Sequence, residues 1–323
     1  NPTGYGRILR GERGAVIAIV EEKDATPAQR QVREINTGLL ALPAGRLARW
    51  IGRLKPNNAQ KEYYLTDVIG LAVKDGVPVT AVAAESEDEV LGINDKAQLA
   101  AAEKILRRRL AGELMAAGVT LADPERIDIR GELLCGRDVV IEPDVIFEGV
   151  VHLGDGVRIG AFTQIRNTLV GAGTVVHPHS LLEDGVIGPN CEIGPYARVR
   201  PGTEMAEGAK VGNFVEVKKS VIGRGSKVNH LTYIGDATIG EKVNVGAGTI
   251  TCNYDGANKH RTVIGDGAFI GSGVELVAPV EIGPGATIGA GSTITRPAPA
   301  GQLTIERSRQ LTIPGWKRPV KGG

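Results

Sequence analysis

The chain is 323 residues long, enough for two domains and a substantial core. Its 38 Lys plus Arg stand against 37 Asp plus Glu, a balance that gives no ground for nucleic acid or a membrane surface as a partner. Aromatic residues make up 4% and Gly numbers 45, which suits a narrow interior lined by Val and Ile.

The first residue is Asn1, and the chain opens directly into PTGYGRI, so it reads as a fragment. Ala15 to Val20 reads as a buried strand, and Asp24, Thr26 and Pro27 signal entry to a helix. Ile35 to Ala41 and Val79 to Ala84 read as further strands, and Leu65 to Lys74 as a helix entered through Thr66 and Asp67. The alternation is that of the second half of an α/β domain, expected over residues 1–93. A linking helix is predicted over 94–117, capped by Asn94 or Asp95, with Leu99, Leu106, Leu110 and Leu114 on one stripe. Its Arg107, Arg108 and Arg109 read as a solvated face. Gly118 ends the helix, and the last predicted domain covers 118–323.

Within that domain an aliphatic residue returns every six positions from about 127 to 295, often with Gly behind it. Ile264, Ile270, Leu276, Ile282, Ile288 and Ile294 keep one register, and Ile159, Ile165, Val176, Leu182, Ile193, Val199, Met205, Val211, Val217, Val228, Ile234 and Val245 carry the beat upstream. Five-residue steps fall at Val170, Ile187, Ile222 and Ile239. A helix needs apolar positions three and four apart and a half-buried strand needs alternation, so this period calls for very short strands joined by tight corners. Stacked in parallel, such strands form a solenoid whose backbone groups are satisfied by the coils above and below, with three faces to each triangular turn. Between Ile250 and Ile264 the beat is replaced by TCNYDGANKHRTV, a polar loop too long for a corner. After Thr295 the period is lost, in a tail holding Arg307, Trp316, Lys317, Arg318 and Lys321.

Several residues could carry chemistry. His230 lies just before the loop, and an imidazole can take a proton from an attacking amine near neutral pH. His152, His177, His179 and His260 compete for attention, and a trimer-interface zinc site would need a spaced ligand set that His177-Pro-His179 alone does not supply. Arg200, Lys218 and Lys219 place positive charge inside the repeats, suited either to a phosphate dianion or to a solvated outer face. Cys135, Cys191 and Cys252 are odd in number without metal-like spacing, no run approaches membrane length, and none reads as a signal segment, so a cytoplasmic setting is expected.

The strings RVRPGTEMAEGAKVGNFVEVKKS, NHLTYIGDATIG and VGAGTITCNYDGANKH, with NPTGYGRI, EINTG, NNAQKEYYLTDVI and GIND before them, closely resemble the bacterial bifunctional GlmU family, through essentially the whole chain. That family joins an N-acetylglucosamine-1-phosphate uridyltransferase to a glucosamine-1-phosphate acetyltransferase. The resemblance implies a partial Rossmann-like nucleotidyltransferase domain followed by a left-handed parallel β-helix. It implies acetyl transfer from acetyl-CoA to the amine of glucosamine 1-phosphate, with His230 as general base and Glu216 as an orienting partner. Arg200 and Lys218 would hold the sugar phosphate, and Tyr233 and Asn244 the sugar. Ala247, Asn253, Tyr254, Ser272 and Ala290 would line the acetyl-CoA site, with Arg307 on a CoA phosphate and no covalent role for Cys252. Gly6, Glu21, Asn36 and Asn94 match sugar-nucleotide positions, Asn94 also as an Mg²⁺ ligand. The family's Gly-rich nucleotide loop and the second metal ligand are expected upstream of Asn1, so UTP chemistry is expected of a longer parent. A homotrimer whose sites are completed by more than one subunit is likewise implied. Two other readings compete: a solenoid that only assembles a nucleotidyltransferase, and a hexapeptide acyltransferase with another acceptor or a carrier-protein thioester. The joint presence of His230, the Arg200 and Lys218 pair and the NYDG loop weighs against an inert solenoid.

Overall fold

The computed structural model describes residues 1–318; of the tail residues singled out above, Lys321 lies outside this range. The chain divides into two compact units, the first Asn1–Ile105 and the second beginning at Leu106. Among the described residues no helix is long and apolar enough to cross a membrane.

In the first unit, strands β1 (Arg7–Arg10) and β2 (Val16–Val20) form an antiparallel pair. Helix α1 (Pro27–Arg30) begins with a reciprocal cap in which Thr26 and Gln29 each bond the other's backbone N–H, as the TP signal implies. Helices α2 (Ala44–Ile51) and α3 (Asp67–Lys74) supply Trp50, Val68, Ile69 and Ala72, which with Val16 and Ile19 make a small core. The buried Trp50 indole donates to Asp75 Oδ2 at 3.0 Å, so its one polar atom is satisfied.

Two expected strands do not form. At Ile35 to Ala41 only Ile35 bridges β1, because the Asn36 side-chain Oδ1 accepts from Gly38 N–H and the Thr37 hydroxyl from Leu39 N–H. Such local side-chain bonds divert the backbone from a ladder. Val77, Val79 and Ala81 do turn inward in alternation onto the small core, yet Val79 to Ala84 pairs with no strand among the described residues. The side-chain period was legible there, but a ladder also needs a neighbour.

Helix α4 (Lys96–Ala116) is entered through Asp95, whose carboxylate accepts from Gln98 N–H at 2.7 Å. Its expected apolar stripe is buried only toward its C-terminal end: Leu99 and Leu106 are exposed, Leu110 and Leu114 are half-buried, Leu114 packs against the solenoid core, and Ala111 is the buried residue of the helix. Of the arginine run, Arg108 pairs with Glu125 and Arg109 with Glu113.

The second unit is a parallel β-solenoid. One face is an 11-stranded sheet, and a 17-stranded sheet wraps the other two. Strands Ile127–Cys135 and Val145–Leu153 join those two faces by running in register around a corner. Every aliphatic residue of the six-residue beat from Ile159 to Ile294 is at most 3% exposed. A second inward ladder stands two residues before it and carries small side chains, among them Thr174, Ala197, Ser226, Thr249 and Ser292. Thr174 donates to Gly188 O at 2.9 Å, Ser226 to Gly240 O at 2.6 Å and Thr249 to Gly246 O at 2.8 Å, whereas the buried Thr262 hydroxyl, two residues before Ile264, has no hydrogen-bond partner among the described residues. Corners turn through residues of positive φ. At one corner successive coils use Phe162 (59°), His179 (60°), Tyr196 (56°), Phe214 (56°) and Leu231 (48°) in a conformation that favours Gly.

Candidate active site at a corner of the solenoid

His230 ends the strand Lys227–His230 on the 11-stranded face and immediately precedes the turn at Leu231. Its backbone is fixed, since His230 O accepts from Gly248 N–H of the next coil and from Thr232 Oγ1 at 2.6 Å. Its ring is exposed, and Nδ1 lies 2.7 Å from Oδ1 of Asn213, the ladder partner one coil earlier. Glu216 does not orient this ring: its carboxylate is taken by Arg200, at 2.7 Å.

A line of residues continues from His230 along the corner. Gly273 N–H donates to Ala247 O at 2.7 Å and Gly291 N–H to Ser272 O at 2.8 Å, repeating the link from Gly248 to His230. His230, Ala247, Ser272 and Ala290 therefore occupy equivalent positions on successive coils. Strands in a ladder stand about 4.8 Å apart, so Ala290 lies about 14 Å along the solenoid from His230. Arg307 of the tail closes the far end by donating from Nη1 to Ala290 O at 3.0 Å. Small side chains at three consecutive rungs leave a shallow lane, and the cation stands at its end.

Around the corner, the adjoining face holds the other charged groups. Val199 pairs with Val217 and Lys218 with Gly235, which sets Arg200 and Lys218 side by side, about 4.8 Å apart on neighbouring strands. Lys219, by contrast, turns at the corner with φ 45° over Gly202. The Arg200 and Glu216 pair is about one-third exposed, which leaves the guanidinium able to meet an added anion. Tyr233 pairs with Glu216 in register, and its hydroxyl is 3.5 Å from Nδ2 of the buried Asn253. The Asn253 amide also donates to Asp236 Oδ2 at 2.5 Å, so the extruded loop is pinned near its start to the face that carries Lys218. Asn244 stands apart from this group, on the 11-stranded face as the ladder partner of Lys227.

The loop itself is a small closed hairpin. Tyr254 bridges Lys259, His260 N–H returns to Asn253 O at 2.8 Å, and the Lys259 ammonium sits 4.9 Å from the Tyr254 ring centre. Asp255 holds the tip: N–H bonds from Asn258, the His260 ring and the Ala257 N–H keep its carboxyl well below the usual carboxylate range. Beside the loop, burial pushes the Cys252 thiol up to about 11, with Glu275 adding to the effect. A thiol so disposed is protonated at neutral pH and makes a poor nucleophile.

The remaining candidates fall elsewhere. His177 Nε2 pairs with Glu192 at 3.1 Å, and His179 stacks between Phe162 and Tyr196. In the first unit, Asn36 N–H donates to Gly6 O, and the Glu21 carboxylate packs against Gly6 and accepts from Thr66. These three come together, whereas Asn94 lies at the start of α4, its N–H bonded to Gln98. A hollow of about 570 Å³ in this unit touches Asn36 but is otherwise lined mainly by apolar residues such as Val16, Ile19, Trp50 and Ile69. Asn94 offers one neutral oxygen, and among the described residues no group of three His, Cys, Asp or Glu side chains could hold a metal. Mg²⁺ is held by carboxylates and substrate phosphates, so the residues present do not fit that ion.

Two contributors were missed in the sequence. Asn213 is separated from His230 along the chain and meets it only through the coil register, while Asp236 is recognisable solely by its grip on Asn253. A shared position in successive repeats was the available signal for Asn213.

Residues 261–296 match the family described as bacterial transferase hexapeptide (six repeats), and residues 129–213 match the GMPPB C-terminal domain. An Arabidopsis UDP-N-acetylglucosamine acyltransferase of known structure is 19% identical with a TM-score of 0.49, covering 55% of this chain and 69% of that one. The bifunctional protein GlmU of Azoarcus sp. (strain BH72) is 60% identical over 321 residues, 99% of this chain and 71% of that protein. That of Aromatoleum aromaticum is 61% identical over 321 residues, 99% of this chain and 70% of that protein. At that identity and coverage, the chain belongs to the bifunctional GlmU family, and its solenoid is the hexapeptide acetyltransferase half.

Proposed function

We propose that the solenoid transfers the acetyl group of acetyl-CoA to the amine of glucosamine 1-phosphate, giving N-acetylglucosamine 1-phosphate. The observation that carries the reading is the single lane from His230 through Ala247, Ser272 and Ala290 to Arg307, with Arg200 and Lys218 around the corner. Acetyl-CoA lies along the lane with its thioester at His230, its pantetheine arm against the small residues and a phosphate at Arg307. Tyr254 of the pinned loop, next to Asn253, covers it. The sugar phosphate takes the two cations, one strand apart, and Tyr233 contacts the sugar. The amine attacks the thioester carbonyl while His230 Nε2 accepts its proton; collapse of the tetrahedral intermediate expels CoA thiolate, which the imidazolium reprotonates. No acyl-enzyme is needed, in keeping with the protonated Cys252. In a longer parent the product is the substrate of the uridyltransferase half, which joins it to the uridylyl group of UTP with release of pyrophosphate.

We further propose a homotrimer acting in the cytoplasm on these small molecules. Asn244 is not gathered with Tyr233 on one chain, as is expected of a site shared between copies. Phe162, His179, Tyr196 and Phe214 stack face to face with centroids 4.8, 4.8 and 5.4 Å apart, in an exposed ridge that leads to Leu231 beside His230. Bulky residues kept at positive φ and open to solvent on successive coils suit a surface that packs against another copy.

Mass spectrometry of a reaction containing both substrates tests the chemistry. The expected product is the acetylated sugar phosphate, formed only when the acceptor carries both the amine and the 1-phosphate. Equal acetylation of unphosphorylated glucosamine would contradict the roles given to Arg200 and Lys218.

A further inference from the structure

Reading His230 as the base leaves open what holds an exposed imidazole in one tautomer and one orientation. We propose that Asn213 is the positioning residue, an inference that rests on the acetyltransferase reading for its kinetic consequence but not for its geometry. The two residues are direct ladder partners on adjacent coils, and Leu231 N–H donates to Asn213 O at 3.1 Å, so their backbones are locked together. From that fixed base the Asn213 Oδ1 reaches His230 Nδ1 at 2.7 Å. Because the ring is solvent-exposed, packing does not set its torsions, and this bond is the side-chain contact that does.

An amide oxygen can only accept, so the proton of the neutral imidazole resides on Nδ1 and Nε2 keeps its lone pair. Nε2 has no hydrogen-bond partner among the described residues and is the nitrogen available to an incoming amine. In an unconstrained imidazole the proton prefers Nε2, which would present a donor where an acceptor is needed. Asn213 reverses that preference and does so without charge. Glu216, the carboxylate that could have filled the role, is held by Arg200. The sugar-phosphate cation and the base are thereby ordered by separate partners, Arg200 by an acid and His230 by an amide.

Nitrogen-15 NMR of histidine-labelled protein reads the tautomer directly, with the His230 signals identified by their loss in His230→Ala. The expected result is the Nδ1–H form in the parent and a shift toward Nε2–H in Asn213→Ala. General-base catalysis contributes about 10²–10⁴-fold, so losing orientation and tautomer should lower kcat by roughly 10- to 100-fold. KM for both substrates should change little, and Asn213→Asp, which keeps an acceptor oxygen, should recover most of kcat. An Nε2–H tautomer in the parent would overturn the inference, as would a folded Asn213→Ala variant with parental kcat. If the parent itself releases no CoA, the functional reading fails, while the NMR result still decides whether Asn213 sets the ring. If Asn213→Ala does not fold, the parental tautomer and Asn213→Asp carry the test.

Discussion

Adding one methyl group at Gly235 should separate fold from activity. Gly235 sits beside Lys218 in the ladder, at a buried point where backbone geometry does not require Gly. A Cβ there would lie 2.6 Å from Asn253 Nδ2 and 2.7 Å from Tyr233 Cζ, with the Tyr233 hydroxyl oxygen nearer still, where ordinary contact begins at 3.4 Å. All are ends of side chains, so they yield and the coil survives. Displacing the Asn253 amide by about 1 Å breaks its bond to the Asp236 carboxylate, a loss of about 1.5–3 kcal/mol for a hydrogen bond to a charged group, and lowers Tm by a few degrees. A shift of that size in substrate-positioning groups costs on the order of 10²-fold in rate, or about 2.7 kcal/mol of barrier. Gly235→Ala should therefore retain its circular dichroism and lose about two orders of magnitude in kcat/KM by thiol-release assay. Gly112→Ala in α4 is the matched control: nothing lies within 4 Å of its Cβ, and Ala favours a helix by up to about 1 kcal/mol. A Gly235→Ala enzyme with parental kcat/KM would refute the placement of Tyr233 and Asn253 in the site.

Other consequences follow from the same geometry. Lys218→Ala removes one of two adjacent cations, and KM for glucosamine 1-phosphate should rise tenfold or more, about 1.4 kcal/mol, with KM for acetyl-CoA nearly unchanged. Asp255 has its carboxyl lowered in the fold, so its contribution to loop order is present above the unfolded carboxylate range and is lost as pH falls through the lowered value. Hydrogen exchange over residues 254–260 should accordingly stay slow through mild acid in the parent and become fast in Asp255→Ala, with KM for acetyl-CoA raised. At the ridge, Tyr196→Asp and Phe214→Asp should lower the oligomer mass by sedimentation; a trimer unchanged by both would remove the ridge from the interface.

How legible the molecule was depended on the range of the interaction. The six-residue beat identified the solenoid interior, because a residue such as Ile270 or Val217 answers only to whether it faces in. The Thr26 and Pro27 signal likewise described a cap made within a few residues. Where a result depended on a neighbour distant in sequence, pattern alone fell short. Val79 to Ala84 has a strand's alternation without a partner strand among the described residues, and α4 has a leucine stripe whose first half, Leu99 and Leu106, stays exposed. The site shows the same division. The family resemblance marked His230, Ser272 and Arg307 individually, but their alignment on one lane follows from coil register, where a five-residue step or a long loop shifts the count. Glu216 and Asn213 lie three residues apart in one motif string, and only register told which one faces His230.

The most direct test of the central claim is CoA thiol release from acetyl-CoA on addition of glucosamine 1-phosphate, with His230→Ala beside the parent chain. The account predicts release that depends on the sugar phosphate and falls by about 10²–10⁴-fold in the variant. Sugar-dependent release undiminished in His230→Ala, or none from a folded parent, would contradict it.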